Sequence, residues 1–254
     1  MRNFGYIEDN ILSDHYLGGS LPNEILQEDR DWRPFIPEGE RQRNTHFDTN
    51  NCTAFGTLNA QEGYMRRRYS FTVNFSDRYL GSRAGTSGPG NSPHTVIETQ
   101  RNFAGMIPEQ ILPFSPRIQS QREYFDGVTF SHKLMGLQWL HQWEIQHEWT
   151  LNGKETNWQD QLYDALQFSP IGIAVRAWTD DDGRYVRTGL VDNHWCTLVY
   201  AKKNDYWIIA DSYPPFYKKL DWNFGFTRAK RYRIIPREDF SSKFYLRAVV
   251  GLLR

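Results

Sequence analysis

The spacing of apolar residues along the chain changes once, near residue 169. Before that point they recur mostly at three- and four-residue intervals; after it they alternate or run together. Ala54, Phe55 and Leu58 keep a helical period from Cys52 towards Gly63, with Asn50 or Asn51 placed to cap the start. The cations of Arg66-Arg67-Arg68 suit the end of that helix. Another helix is expected over 94–104, closed by Gly105 and a turn at Pro108. Residues 132–149 read as a third, with Leu134, Leu137, Trp139, Leu140, Trp143, Ile145 and Trp149 forming a broad apolar face. A fourth covers 158–168, where Leu162, Ala165 and Leu166 share a face.

Strands dominate the remainder. Residues 170–178 are β-rich and 179–183 form a turn. Residues 193–201 and 206–210 make a hairpin about the turn 202–205, and 231–235 and 245–252 add two more strands. Residues 1–47 are punctuated by Gly18-Gly19, Leu21-Pro22, Trp32-Arg33-Pro34 and Ile36-Pro37, and are expected to wrap the surface as a loop-rich arm. Helices first and strands last argue for an α+β fold, with a helical lobe over about 48–168 and an antiparallel β lobe over about 169–254. The loop 81–93, rich in Gly, Ser and Pro, lacks the Lys-Ser/Thr terminus and preceding apolar strand of a phosphate cradle.

Composition narrows the function without naming it. The 30 basic and 30 acidic residues cancel, so bulk charge argues for neither a nucleic-acid nor a membrane-surface partner. No apolar run approaches a membrane span, and residues 1–10 lack the apolar core of a secretory signal. Two cysteines cannot build a disulfide framework, which suits an intracellular, reducing or virion-associated setting. His141, Glu144 and His147 recur every three residues but do not form an HExxH pattern, and no metal or other cofactor is expected.

The candidate chemistry lies elsewhere. Cys52 sits at a helix mouth, where unpaired backbone N–H groups and the helix dipole favour thiolate. His194 opens one strand of the hairpin and Asp211 closes the other, so antiparallel pairing returns the carboxylate towards the imidazole. A carboxylate there fixes the ring, and the ring can then pair with a thiol. Cys196 shares a strand face with His194 and reads as a small core hydrophobe. His194 follows Cys52 by 194 − 52 = 142 residues, inside the roughly 130–150 expected of papain-like enzymes.

Six segments, in order, resemble the papain-like cysteine peptidases. Cys52-Thr-Ala-Phe with Glu62-Gly63 resembles that family's nucleophile helix, and Ser76-Asp-Arg-Tyr-Leu80 its following Leu-Ser segment. Gly105 to Phe114, Ser169 to Val175, Asn193-His194 and Tyr206 to Tyr213 are similar to its later motifs. The resemblance implies a helical lobe carrying Cys52, a β lobe carrying His194 and Asp211, and a site in the cleft between them. It implies that Cys52 is a nucleophile, His194 its acid–base partner, and Asp211 the orienting residue where the family usually has Asn. Tyr213 stands where a Trp shields that pair, and the partner implied is a polypeptide substrate.

Departures qualify it. The oxyanion-hole Gln is expected six residues before the nucleophile, where this chain has His46; Gln42 could reach the site if residues 45–48 are an insertion, and His46 is the fallback. The family's disulfide cysteine is replaced by Thr49, and Asp211 adds a charge that should stabilise imidazolium. Only about fifty residues precede Cys52, fewer than family prodomains, which resembles prodomain-free bacterial and phage members. Three functions are therefore expected in turn: a thiol endopeptidase, a silent papain fold serving a virion or other assembly, or a cell-wall amidase.

Overall fold

The computed structural model describes residues 4–9, 21–153 and 156–237. Gly18-Gly19-Ser20 and the strand expected over 245–252 lie outside the described residues. Among these residues six α-helices follow in order: α1 (Cys52–Tyr69), α2 (Asp77–Arg83), α3 (Pro93–Thr99), α4 (Gln121–Phe125), α5 (Phe130–Gln142) and α6 (Trp158–Ala165). Eight strands form one sheet: β1 (Trp143–Asn152), β2 (Ile171–Val175), β3 (Thr179–Asp181), β4 (Arg184–Val186), β5 (His194–Lys202), β6 (Tyr206–Ala210), β7 (Tyr217–Asp221) and β8 (Arg228–Pro236). Their order is β1-β8-β2-β5-β6-β7-β4-β3, antiparallel throughout except for the single parallel bridge between β4 and β7.

Helix α1 is the axis of the molecule. Every residue from Cys52 to Met65 except Asn59 is buried, so the helix has no solvent face in that stretch and runs through the core. Gly56 explains how closely it meets the sheet. A Cβ there would stand 2.8 Å from the Trp195 ring and 3.1 Å from the Cys196 backbone. The Gly56 carbonyl accepts the Thr197 hydroxyl at 2.8 Å. The first turns of α1 therefore track the first residues of β5, and this contact sets Cys52 beside the strand that begins with His194.

Two local expectations are corrected. Neither Asn50 nor Asn51 caps α1: Asn51 holds the cap position, but its side-chain amide donates to Asp77 O and Tyr124 Oη. The helix expected over 132–149 ends at Gln142, and the chain continues as β1. Trp143, Ile145, His147, Trp149 and Leu151 are buried in strict alternation, the period of a strand, and β1 pairs with β8 across its length. The apolar face read onto that helix dissolves accordingly, since Leu134 and Leu137 are exposed on α5. Strands thus begin before residue 169, and β1 joins the sheet from within the stretch read as helical.

Residues 21–47 carry no long element, yet they are not only surface wrapping. Trp32 is fully buried and its indole donates to Leu166 O at 2.6 Å, while its backbone N–H reaches Val199 O. Leu26 and Ile36 enter the same core.

Beneath α1 and α2 four carboxylates gather. Glu62 accepts the Phe75 N–H at 2.6 Å, and the charges of Glu40 and Glu109 lie close enough to raise both Glu62 and Asp77. Burial, with those neighbouring charges, pushes Glu62 and Asp77 well up and takes Glu109 to about 8. A carboxyl raised in the folded state stays protonated where the unfolded chain has already ionised. The stability it contributes is complete below its unfolded value and is lost as pH rises through about 8. Glu109→Gln should therefore lose less stability than the wild type between pH 5 and pH 8, in urea melts compared across that window.

Candidate active site

The hairpin delivers the two residues the sequence paired. His194 Nε2 and Asp211 Oδ1 are 2.5 Å apart, and both side chains are fully buried. Oδ1 also accepts the Ser212 N–H at 2.7 Å. Because the carboxylate can only accept, Nε2 carries the ring proton there and Nδ1 is left with the lone pair of the neutral ring. Nδ1 is buried and has no hydrogen-bond partner in the structure.

The second carboxylate oxygen reveals a residue that the sequence reading missed. Lys218, on β7, is buried and donates to Asp211 Oδ2 at 2.6 Å, to Tyr213 O at 2.6 Å and to Pro215 O at 2.7 Å. Burial alone would raise the Asp211 carboxyl. The imidazole and the ammonium outweigh that and hold it below the ordinary carboxylate value. The charge that Asp adds in place of Asn is thus met by Lys218, not by His194 alone. One signal was available: in Tyr217-Lys-Lys-Leu-Asp221 alternation puts Lys218 on the inward face with Leu220.

Three rings enclose the imidazole. Tyr213 lies 5.5 Å from His194, Trp178 5.7 Å and Phe4 5.7 Å, centroid to centroid. Tyr213 is therefore beside the pair, with its hydroxyl donating to Asp48 Oδ2 at 2.6 Å. Trp178 covers a second side, and Lys218 Nζ stands 5.3 Å from its ring centre.

Gln42 and His46 have very different places. Arg43 and Asp48 bridge across a small turn in which Asn44 N–H reaches Phe47 O. That turn loops His46 out to solvent and returns the chain so that Thr49 N–H meets Gln42 O. Gln42 is fully buried. Its Oε1 accepts the Ser212 hydroxyl at 2.6 Å, which fixes the amide orientation and turns Nε2 the other way. Nε2 donates to Phe4 O at 3.0 Å and lies 2.7 Å from Tyr213 Oη and 3.2 Å from Asp48 Oδ1.

Cys52 is at the start of α1, in one buried cluster with Trp195, the residue after His194. It is wholly buried and packs with Tyr6, Trp149, Ala174 and Trp195. Burial pushes the thiol far above its ordinary range, the Trp195 amide offsets part of that, and Asp211 and Asp48 add to the rise. The thiolate expected at this helix mouth is thus not favoured while the site is covered. Cys196 is buried within the sheet core, and burial raises its thiol too.

The His/Glu series at 141, 144 and 147 is split between α5 and β1. His147 is buried, with Nε2 2.7 Å from Glu98 Oε1 and Nδ1 3.2 Å from Lys230 Nζ. Burial lowers His147 to about 4 and Lys230 to about 7, so the lysine is held beside a neutral acceptor ring. Among the described residues no group of His, Cys, Asp and Glu is arranged to hold a metal ion, and no helix is long and apolar enough to cross a membrane.

No protein-family model matches the chain, and no curated protein matches it. Solved structures do. The chain is similar to digestive procathepsin L 3 of Tenebrio molitor larval midgut, with 18% identity and a TM-score of 0.59 over 92% of this chain and 76% of that one. It is similar to the Amb a 11 cysteine protease, a ragweed pollen allergen, in its proform, with 16% identity and a TM-score of 0.56 over 87% and 68%. The bromelain protease from Ananas comosus gives 16% identity and a TM-score of 0.55 over 81% and 96%. The fold is papain-like, an α+β architecture of helices against a largely antiparallel sheet.

The Lys218–Asp211 contact is testable by stability alone. Lys218→Met strands a buried carboxylate and should cost about 3–5 kcal/mol. In the Asp211→Asn/Lys218→Met double variant both charges are gone, and the urea-melt cycle should return a coupling of about 1–3 kcal/mol.

Proposed function

We propose that the chain is a thiol-dependent endopeptidase that uses Cys52, His194 and Asp211. The observation that carries this reading is the buried His194–Asp211 pair, 2.5 Å apart, whose imidazole Nδ1 is buried and has no hydrogen-bond partner, Cys52 Sγ included. An acid–base group needs that asymmetry: one nitrogen committed to an orienting carboxylate, the other open to exchange a proton. The papain-like fold, and the cysteine proteases it resembles, agree with it.

The chemistry proceeds in two halves. Nδ1 of His194 takes the Cys52 thiol proton as the sulfur attacks the carbonyl carbon of a peptide bond. The C–S bond forms and the carbonyl π electrons move to oxygen. Gln42 Nε2 and the Cys52 backbone N–H, which has no partner within the helix, donate to that oxygen. As the carbonyl re-forms, the C–N bond breaks, and the departing amine takes the proton held by His194. Water then attacks the thioester and gives a proton to His194. The thiolate leaves, the acid product departs and the thiol is restored. Asp211 stays ionised throughout, orienting the ring, and Lys218 balances its charge. Gln42 fills the oxyanion role in this scheme, and exposed His46 has none.

A silent papain fold is the second reading, and the complete burial of Cys52 is the observation on its side. Hydrolysis of an unfolded polypeptide decides between them. The peptidase reading expects cleavage that Cys52→Ala abolishes, that His194→Ala lowers by roughly 10²–10⁴-fold, and that Cys196→Ala leaves intact. Absence of cleavage, both in the wild type and after the cover over Cys52 is loosened by Tyr6→Ala, would establish the silent fold. Turnover of peptidoglycan fragments alone would point to an amidase.

A further inference from the structure

The cover over Cys52 is a stretch of the chain itself, bound as a peptide. Phe4 N–H donates to Asn193 O at 3.1 Å, and Phe4 O accepts the Gln42 amide at 3.0 Å. Asn91 N–H donates to Gly5 O at 3.0 Å, and Ile7 N–H to Asn91 O at 2.9 Å, so residues 5–7 pair with Asn91 as a parallel bridge. Every one of these groups is backbone or the buried Gln42 amide. A peptide held by its main chain between two walls is the arrangement of a bound ligand.

Two features of that segment carry chemical information. Gly5 has φ +105°, and a Cβ there would lie 2.1 Å from Asn50 O, on the backbone just before Cys52. Its opposite wall is Gly90, where a Cβ would lie 2.1 Å from Gly5 O. The connection between α2 and α3, shorter than the loop expected over 81–93, thus packs against the segment, and its Gly90 is required by the backbone set against it. Tyr6 is buried next, stacked on Trp195 at 6.0 Å with planes 6° apart, in a cluster with Trp149, Ala174 and Cys52. The Tyr6 hydroxyl is buried without a hydrogen-bond partner, so the pocket selects the ring and not the oxygen.

We infer that the cleft is a peptide groove selective for glycine followed by an aromatic residue, that Phe4-Gly5-Tyr6 is its resident occupant, and that the polypeptides it acts on carry the same pair. The binding half stands on the geometry of residues 4–7. The substrate half rests on the peptidase reading. While the segment is seated, Cys52 is sealed and Gln42 is occupied; a competing peptide must first displace it.

Iodoacetamide labelling of Cys52 in the full chain, followed by mass mapping, tests the binding half without any need for turnover. Gly5→Ala and Tyr6→Ala should each raise the Cys52 labelling rate roughly tenfold or more, by raising the population of the open cleft. Tyr6→Phe should leave it slow. Cys196 should stay unlabelled in every variant, reporting an intact core. Added to the Gly5→Ala protein, the peptide Phe-Gly-Tyr-Ile-Glu-Asp should restore protection, and Phe-Ala-Tyr-Ile-Glu-Asp should not. Unchanged labelling in both variants, or equal protection by the two peptides, would overturn the groove. For the substrate half, a reporter peptide with Gly-Phe should be hydrolysed roughly tenfold or more faster than its Ala-Phe counterpart. Equal turnover would overturn that half alone. No turnover of either reporter, with the labelling pattern as expected, would remove the peptidase reading and the substrate half together while the groove stands.

Discussion

Burying a carboxylate is the constraint on which the candidate site of this molecule depends. The Asp211 side chain is fully buried, and an isolated ion in such a place would take up a proton instead. Two cations or potential cations face its two oxygens: His194 at the start of β5 and Lys218 on β7. Three adjacent strands must hold register for that to happen, and the β5–β6 and β6–β7 pairings supply it. The three backbone and carboxylate acceptors around the Lys218 ammonium use all of its protons, so the cation is as fully satisfied as the anion. Taken together, Asp211 and Lys218 present the imidazole with something closer to a neutral acceptor than to a bare charge. That is how Asp211 can stay ionised in a fully buried place.

Much of this was legible in the sequence because it depends on short-range geometry. A hairpin folds the residue after its second strand back towards the start of its first; Ala210 pairs with Thr197, and Asp211, one residue on, reaches His194. Helix α1 was legible for the same reason, although its cap was not: Asn51 spends its side chain on α2 and Tyr124, a choice made by tertiary neighbours. The reading of 132–149 as one helix failed at Trp143, where large apolar residues satisfy a helical face and a strand face almost equally well. Only the partner strand β8 decides between them. Lys218 escaped notice because a lysine in a strand is ordinarily a solvent-facing residue, and nothing local says which carboxylate waits behind it.

The segment 4–9 was the least legible part. Loop-rich sequence says that a stretch lacks periodic packing; it does not say where the stretch lies. Phe4, Gly5 and Tyr6 owe their positions to groups about 40 to 190 residues away: Gln42, Asn91, Asn193 and Trp195. The same holds for Gln42, whose place is set by the turn at 43–48. Its asparagine side chain, accepting from the backbone of His46 and Phe47, shapes a small protrusion that sets Gln42 beside Thr49.

The loop opposite Asn50 is fastened to the helix mouth as well as to the seated segment, since Asn50 Nδ2 donates to Gly88 O at 2.5 Å. Gly88, Gly90 and Asn91 therefore act as a lever arm. One end is reachable from solvent, and the other bears on backbone that leads directly into Cys52. The same loop therefore touches both the backbone that leads into Cys52 and the covering segment. A substitution at Gly88, Gly90 or Asn91 would thus disturb the helix mouth and its cover together.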